Sequence, residues 1–335
     1  MSTPSSVATA GERALIDLIR TRVPPAPPWV ALGIGDDAAV VEPERRSLDV
    51  FTTDALVDGV HFDRAFTPPD AIGHRALAVN LSDLAAMGAR PRVALLSLIL
   101  PADLLLSDLT AIIDGLLALA ARHKVALVGG NITRTPGPLC IDVTAVGSVH
   151  RRKFLTRSGA RPGDEVWVSG QVGSAAAGLA SLMSGRRTPN PMTACEEVYL
   201  RPEPRLRLGL LLASNRAASA CVDLSDGLAD GLHRLASASE AGFVVDGQAL
   251  PVSDEARAWF VSQEADPVMA ALQGGDDYEL LFTVGACQRS RLRSVRQALG
   301  GLALTRIGTV TKSRTVRLKT AGGECPVPAG YEHFR

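Results

Sequence analysis

Aspartate recurs in this chain in short runs punctuated by glycine: Gly33–Asp37 (GIGDD), Thr52–Gly59 (TTDALVDG), Asn80–Asp83 (NLSD), Asp223–Gly227 (DLSDG) and Gly274–Glu279 (GGDDYE). One such run is a turn or a helix cap, because Asp and Gly favour those positions. Five of them, each at the end of an apolar stretch, ask for more, since apolar elements opening into glycine-rich loops are where sites gather. The Asn80–Asp83 run is the sharpest. Residues Ala76–Met87 are apolar on nearly every face, and a helix of that kind is buried. Asp83 then reads as a buried carboxylate with no lysine or arginine on the next two turns. It needs either a cation or several N–H donors from a neighbouring loop. Carboxylates without histidine or cysteine companions suit a hard ion such as Mg²⁺. Magnesium takes one or two carboxylates and fills its shell with waters and phosphate oxygens, so several aspartates imply several ions around a polyphosphate. The four lysines (Lys124, Lys153, Lys312 and Lys319) are few for neutralising phosphates.

Other chemistries lack their residues. The sequence has no GxxxxGK[ST], HExxH, GxSxG or calcium-loop pattern, so Walker-type, zincin and nucleophile-elbow sites are excluded. Gly33–Ala38 matches GxGxxA superficially, but it places two carboxylates where a pyrophosphate must meet bare backbone amides.

The elements that must position these runs divide the chain in two. Its 335 residues suggest two domains. The N-terminal half, 1–150, reads as a helix over 10–23, short strands at Ala38–Val41 and Leu48–Thr52, and a helix over 70–88. A strand at Val93–Leu100, a helix over about 103–122, and strands at Val125–Val128 and Leu139–Val149 complete it. That mixture is α+β. The polar stretch 151–164 marks the boundary. In 151–335, strands at Glu165–Ser169, Ala220–Leu224, Tyr278–Val284 and about 305–318 alternate with helices at Ser174–Ser184, Arg205–Ala213, Leu228–Ala241 and 288–299. With 35 basic against 35 acidic side chains, bulk electrostatic binding to nucleic acid or anionic lipid is not expected. The strongest apolar run, Val93–Leu100, is far short of the ~20 residues of a bilayer span. The N-terminus lacks a signal-peptide pattern, and the five cysteines are odd in number with no CxxC pair. A cytoplasmic protein with reduced thiols is the expectation.

The motifs GIGDDAAVV, TTDALVDGVHF, ALAVNLSDLAAMGARP, TRSGARPGD, VDLSDGLADGL, GGDDYELLFT and a closing GYEHF stand in this order from about residue 30 to 334. Together they resemble the thiamine-monophosphate kinase family of the aminoimidazole ribonucleotide synthetase superfamily. The resemblance implies an N-terminal α+β domain that dimerises through its strands, a C-terminal α/β domain, and ATP as co-substrate with Mg²⁺. The reaction it implies is γ-phosphoryl transfer to thiamine monophosphate, giving thiamine diphosphate. By the same resemblance, Asp37, Thr52, Thr53, Asp54, Asp83, Asn131, Asp223 and Asp226 contact magnesium. Gly130, Asn131, Arg157 and Ser225 match nucleotide contacts, and His61, Asp276 and Tyr331 match contacts to thiamine phosphate. Two positions depart from the family pattern: Asn131 stands where an aspartate is usual after the paired glycines, and Asp276 where a glutamate is usual.

The residues carry the chemistry in outline. A phosphate-monoester acceptor has a second pKa of about 6 and is already ionised at neutral pH, so no general base is needed. The difficulty is repulsion between two anions, which metal ions and arginine offset. Arg157 is the candidate clamp, or else a solvated linker residue. His61 donates to the acceptor phosphate or is structural. Tyr331 stacks on the cationic thiazolium or simply packs down, and Asp276 faces a cationic substrate or serves a turn. Selenophosphate synthetase is disfavoured because the first cysteine is Cys140, and the hydrogenase-maturation enzyme because no cysteine tail closes the chain. A binder that no longer catalyses is the reading from another class, with Asn131 in its favour.

Overall fold

Helical and extended stretches of the N-terminal part follow its apolar spacing. The computed structural model describes residues 6–185 and 194–330. A short α1 (Val7–Ala10) leads into α2 (Glu12–Arg22), which buries Leu15 and Ile19 and ends at Val23, before Pro24. Two small strands, β1 (Val30–Leu32) and β2 (Val40–Val41), pair with each other. Then come β3 (Ser47–Val57), α3 (Pro69–Ala86), β4 (Arg90–Pro101), α4 (Leu106–His123), β5 (Ala126–Thr135) and β6 (Cys140–His150). The sheet order is β3-β6-β4-β5, antiparallel except for the β4/β5 pair. That pair is parallel because α4 intervenes, forming a βαβ crossover. Ile141, Val143 and Ala145 of β6 are fully buried while Cys140, Asp142 and Thr144 are partly exposed, so one sheet face carries the core. Burying side chains such as Leu98 or Ile113 contributes about 1.5–3 kcal/mol each. Helices α3 and α4 touch backbone to backbone: a methyl on Gly73 would run into the Ile112 carbonyl, and one on Gly115 into Asp70.

The C-terminal part contains β7 (Glu165–Ser169), α5 (Ser174–Met183), α6 (Ala194–Leu200), α7 (Leu206–Asn215), β8 (Ala220–Asp223), α8 (Leu228–Ser239), β9 (Gly242–Asp246), α9 (Asp254–Ser262) and α10 (Pro267–Gln273). It closes with β10 (Leu280–Val284), α11 (Arg289–Leu299), β11 (Leu304–Thr311), β12 (Val316–Thr320) and β13 (Gly323–Pro326). Seven strands form one sheet in the order β13-β12-β9-β11-β7-β10-β8, antiparallel except for β12 beside β9. Val166, Val222, Phe243, Leu281, Ile307 and Leu318 lie in its apolar core together with Leu232 and Leu235 of α8.

By packing, the chain forms two compact units, residues 1–81 with 90–151, and residues 82–89 with 152–335. The last turn of α3, from Ser82 on, therefore packs with the C-terminal unit. Several readings of the sequence need correction, among them the strand at Val125–Val128, which runs on through Gly130 and Asn131 to Thr135 beside β4. The strand at Leu48–Thr52 runs on through the polar Thr53 and Asp54 to Val57, because β6 pairs with all eleven residues. The strand read as Tyr278–Val284 begins at Leu280, since Asp276 and Tyr278 have left-handed backbones (φ 68° and 48°). Helices α9 and α10 were not read at all, although Ser253 caps Ala256 N–H at 3.1 Å and Asp266-Pro267 opens α10 with a cap and a proline. All five cysteines are free thiols. Among the described residues no helix is long and apolar enough to cross a membrane.

Candidate functional site

In the C-terminal unit, five of the expected site residues (Asp83, Asp223, Ser225, Asp226 and Asp276) lie on three segments, with Arg157 on a fourth. Strand β8 is apolar until it ends in Asp223, which is buried. Its Oδ2 accepts the hydroxyl of the fully buried Ser82 at 2.7 Å. Ser82 and Asp83 stand side by side at the end of α3, so the helix presents a hydroxyl and a carboxylate to the end of β8. Burial first, and then the charge of Asp83, push the Asp223 carboxyl up to about 6, against the Ser82 hydrogen bond and the more distant positive charge of Arg157. A like charge nearby disfavours the ionised form. Asp83 itself corrects the sequence reading: it is half-buried, while its neighbours Leu81, Ser82 and Leu84 are fully enclosed.

The DLSDG and GGDDYE loops are tied backbone to backbone. Asp276 N–H donates to the Ser225 carbonyl at 2.7 Å, and Tyr278 N–H donates to that of Leu224 at 3.0 Å. Ser225 donates its hydroxyl to Asp226 at 3.2 Å, and the Tyr278 hydroxyl donates to Asp276 at 3.3 Å. The other acids of GGDDYE are structural. Asp277, buried, accepts the N–H groups of Gly173 (2.6 Å) and Ala175 (3.1 Å) at the start of α5. Burial pushes its carboxyl up to about 8, against those two donors. Glu279, also buried, accepts the Ser169 hydroxyl at 2.5 Å and the Arg205 Nε at 2.7 Å. Arg157 is exposed, with its carbonyl accepting the Ser239 hydroxyl at 3.2 Å.

The remaining candidates belong to the N-terminal unit. Asp37 lies exposed in the loop after β1, its N–H held by the Asp36 carboxylate at 2.9 Å. Thr52, Thr53 and Asp54 are consecutive on β3, so Thr52 and Asp54 share one sheet face and Thr53 takes the other. His61 follows β3, and its Nδ1 accepts the Val57 N–H at 3.1 Å, which leaves the proton of the neutral ring on Nε2. Gly130 and Asn131 are mid-strand in β5, opposite Leu96 and Ser97. A side chain at Gly130 would collide with the Leu96 carbonyl, so only glycine fits there. Tyr331 lies outside the described residues.

Reading the sequence missed two partners. Asp142 of β6 accepts the Thr53 hydroxyl at 3.0 Å, and its register places it beside Ser97, which in turn stands beside Asn131. Arg234 of α8 donates to Asp226 at 2.6 Å. Neither lies in a glycine-punctuated run, and only strand register and helix geometry bring them in.

The donor set fits magnesium: hard carboxylate and hydroxyl oxygens without histidine or thiolate. Among the described residues no three acidic, histidine or cysteine side chains converge into a complete metal cage.

Comparison with known proteins agrees along the whole length. Residues 35–149 match the family of AIR synthase related protein N-terminal domains, and residues 161–320 the corresponding C-terminal domains. Thiamine-monophosphate kinase of Escherichia coli is 40% identical over 97% of this chain and 98% of its own. The crystal structure of thiamine-monophosphate kinase from Stenotrophomonas maltophilia is 41% identical, with a TM-score of 0.80 over 95% of this chain and 98% of that one. A structure of AaThiL complexed with AMPPCP and TMP is 34% identical, with a TM-score of 0.78 over 99% and 100% of the two chains. With both domains matched and the identity spread over nearly all of each chain, this protein belongs to the thiamine-monophosphate kinase family, enzymes built from the two AIR synthase related domains.

Proposed function

We propose that the chain transfers the γ-phosphoryl group of ATP directly to the phosphate of thiamine monophosphate, in line and assisted by Mg²⁺, giving thiamine diphosphate. Its family membership makes it a kinase of this acceptor. The observation that carries the finer reading is the pairing of Asp83 with Asp223 at the ends of α3 and β8, two carboxylates whose mutual repulsion a divalent cation would relieve. Bound magnesium would offset the negative charge of the phosphates and hold attacking and leaving oxygens in place.

On this reading Asp83, Asp223 and Asp226 hold magnesium in the C-terminal unit, and Asp37, Thr52, Thr53, Asp54 and Asn131 in the N-terminal one. Gly130 offers its backbone to the nucleotide, as do Asn131 and Ser225 with their side chains, and Arg157 brings a positive charge. His61 presents its Nε2 proton to the acceptor phosphate, Asp276 offers a negative charge to the cationic thiamine, and Tyr331 stacks on it. Residues 1–150 and 151–335 act as the two functional domains, and the chain works as a homodimer in the cytoplasm. No side chain serves as general base or nucleophile, because the acceptor is ionised already. Incubation with ATP and thiamine monophosphate should give thiamine diphosphate on chromatography. Incubation with γ-labelled ATP alone should leave the protein unlabelled, and a stable labelled enzyme overturns direct transfer.

A further inference from the structure

Asp226 is already engaged. Its Oδ2 accepts an N–H of Arg234 at 2.6 Å and the Ser225 hydroxyl at 3.2 Å. The same guanidinium reaches back through Nε to Asp230, one turn earlier on α8. Arg234 thus forks across two carboxylates, one in the loop and one on its own helix. The acid-before-base spacing of four residues favours the Asp230 arm. Burial raises the Asp230 carboxyl, and the charge of Arg234 is what chiefly opposes that rise. A guanidinium at this distance occupies an oxygen that Mg²⁺ would need at about 2.0–2.1 Å and neutralises the charge that attracts the ion.

We propose that Arg234 is the resident counter-ion of Asp226 in the nucleotide-free enzyme and yields that carboxylate to the incoming divalent cation. Held by Asp230, the guanidinium does not leave, and its released N–H turns to a phosphate oxygen of the nucleotide. The exchange keeps a bare carboxylate from standing in the loop when no ligand is bound, and it couples metal entry to nucleotide entry. The inference rests on the kinase reading, with Asp226 as a metal contact.

The experiment is a Mn²⁺ titration of the full chain without nucleotide, followed by electron paramagnetic resonance, on wild type, Arg234→Gln, Arg234→Met and Arg234→Lys. The two neutral variants should bind Mn²⁺ about tenfold more tightly, the loss of one charge-assisted hydrogen bond competing for Asp226. The lysine variant, which keeps the charge but not the fork, should fall between wild type and the neutral variants. In an Asp226→Asn background the Gln replacement should change Mn²⁺ affinity little, because the carboxylate it frees is gone. The Michaelis constant for ATP should rise in both neutral variants. Unchanged or weaker Mn²⁺ binding in them, or an equal gain in the Asp226→Asn background, overturns the exchange. Failure of the wild type to form thiamine diphosphate refutes the kinase reading instead, and the Mn²⁺ comparison still decides whether Arg234 and the cation compete.

Discussion

Asn131 is the residue at which this chain departs most from the pattern it otherwise follows. An amide oxygen can ligate magnesium but brings no charge, so the ion depends more on the phosphates that arrive with it. Activity should persist and need more Mg²⁺, and Asn131→Asp should lower the half-saturating Mg²⁺ concentration several-fold in a kinase assay. An unchanged requirement would show either that the charge is already compensated, Asp142 being two strands away in the same register row, or that Asn131 lies outside the metal shell. Asp83 tests the opposite case. Its charge acts on Asp223, and the side chain is only half-buried, so Asp83→Asn should retain the fold by circular dichroism. Turnover should fall roughly 100-fold or more, beyond what outer-shell partners of a metal cost. Near-normal activity at limiting Mg²⁺ would remove Asp83 from the metal's ligands.

At the scale of elements, α5 is anchored by a residue from another segment. It begins at Gly173 without a side-chain cap of its own, and the Asp277 carboxyl takes the two N–H groups instead. Asp277→Asn substitutes a donor for one of those acceptor oxygens and should cost about 1–3 kcal/mol in chemical denaturation. The pH dependence has a definite sign. The carboxyl titrates near 3.9 in the unfolded chain and about 8 in the folded one. The folded protein therefore keeps a proton that the unfolded chain gives up between those values. Its contribution is complete below about pH 4 and is lost as the pH rises through about 8, so the deficit of the Asn variant should shrink from pH 5 to pH 8. A deficit that grows over that range would mean that the carboxylate, rather than the acid, caps α5.

At the scale of the whole molecule, β3 is an edge strand of eleven residues with Phe51 71% exposed. A long edge with an exposed aromatic residue is a place where another chain adds. If the proposed homodimer forms through this strand, Phe51→Asp should give a monomer in light scattering after gel filtration, with its far-ultraviolet circular dichroism intact. A variant that remains dimeric places the contact elsewhere.

Residue type and local spacing alone point to the two-part organisation, the order of the aspartate runs and a set of donors of the kind magnesium takes. The sequence also marked the end of β8 and the start of α8 closely, since the apolar run of the strand meets Asp223 and that of the helix begins after Gly227. It did not separate Asp276 from Asp277 and Glu279, three acids in one short run. Only the tertiary structure shows that Asp277 caps α5 and that Glu279 pairs with Ser169 and Arg205, which come from elsewhere in the chain. The same holds for Arg234 on Asp226, for Asp142 on Thr53, and for the partial exposure of Asp83. Hydrophobic period reports which face of an element turns inward. What a polar group meets is set by partners such as Gly173 for Asp277 and Ser82 for Asp223, more than 100 residues away in the chain, and those distances are fixed only when the sheets close and the strand registers are set.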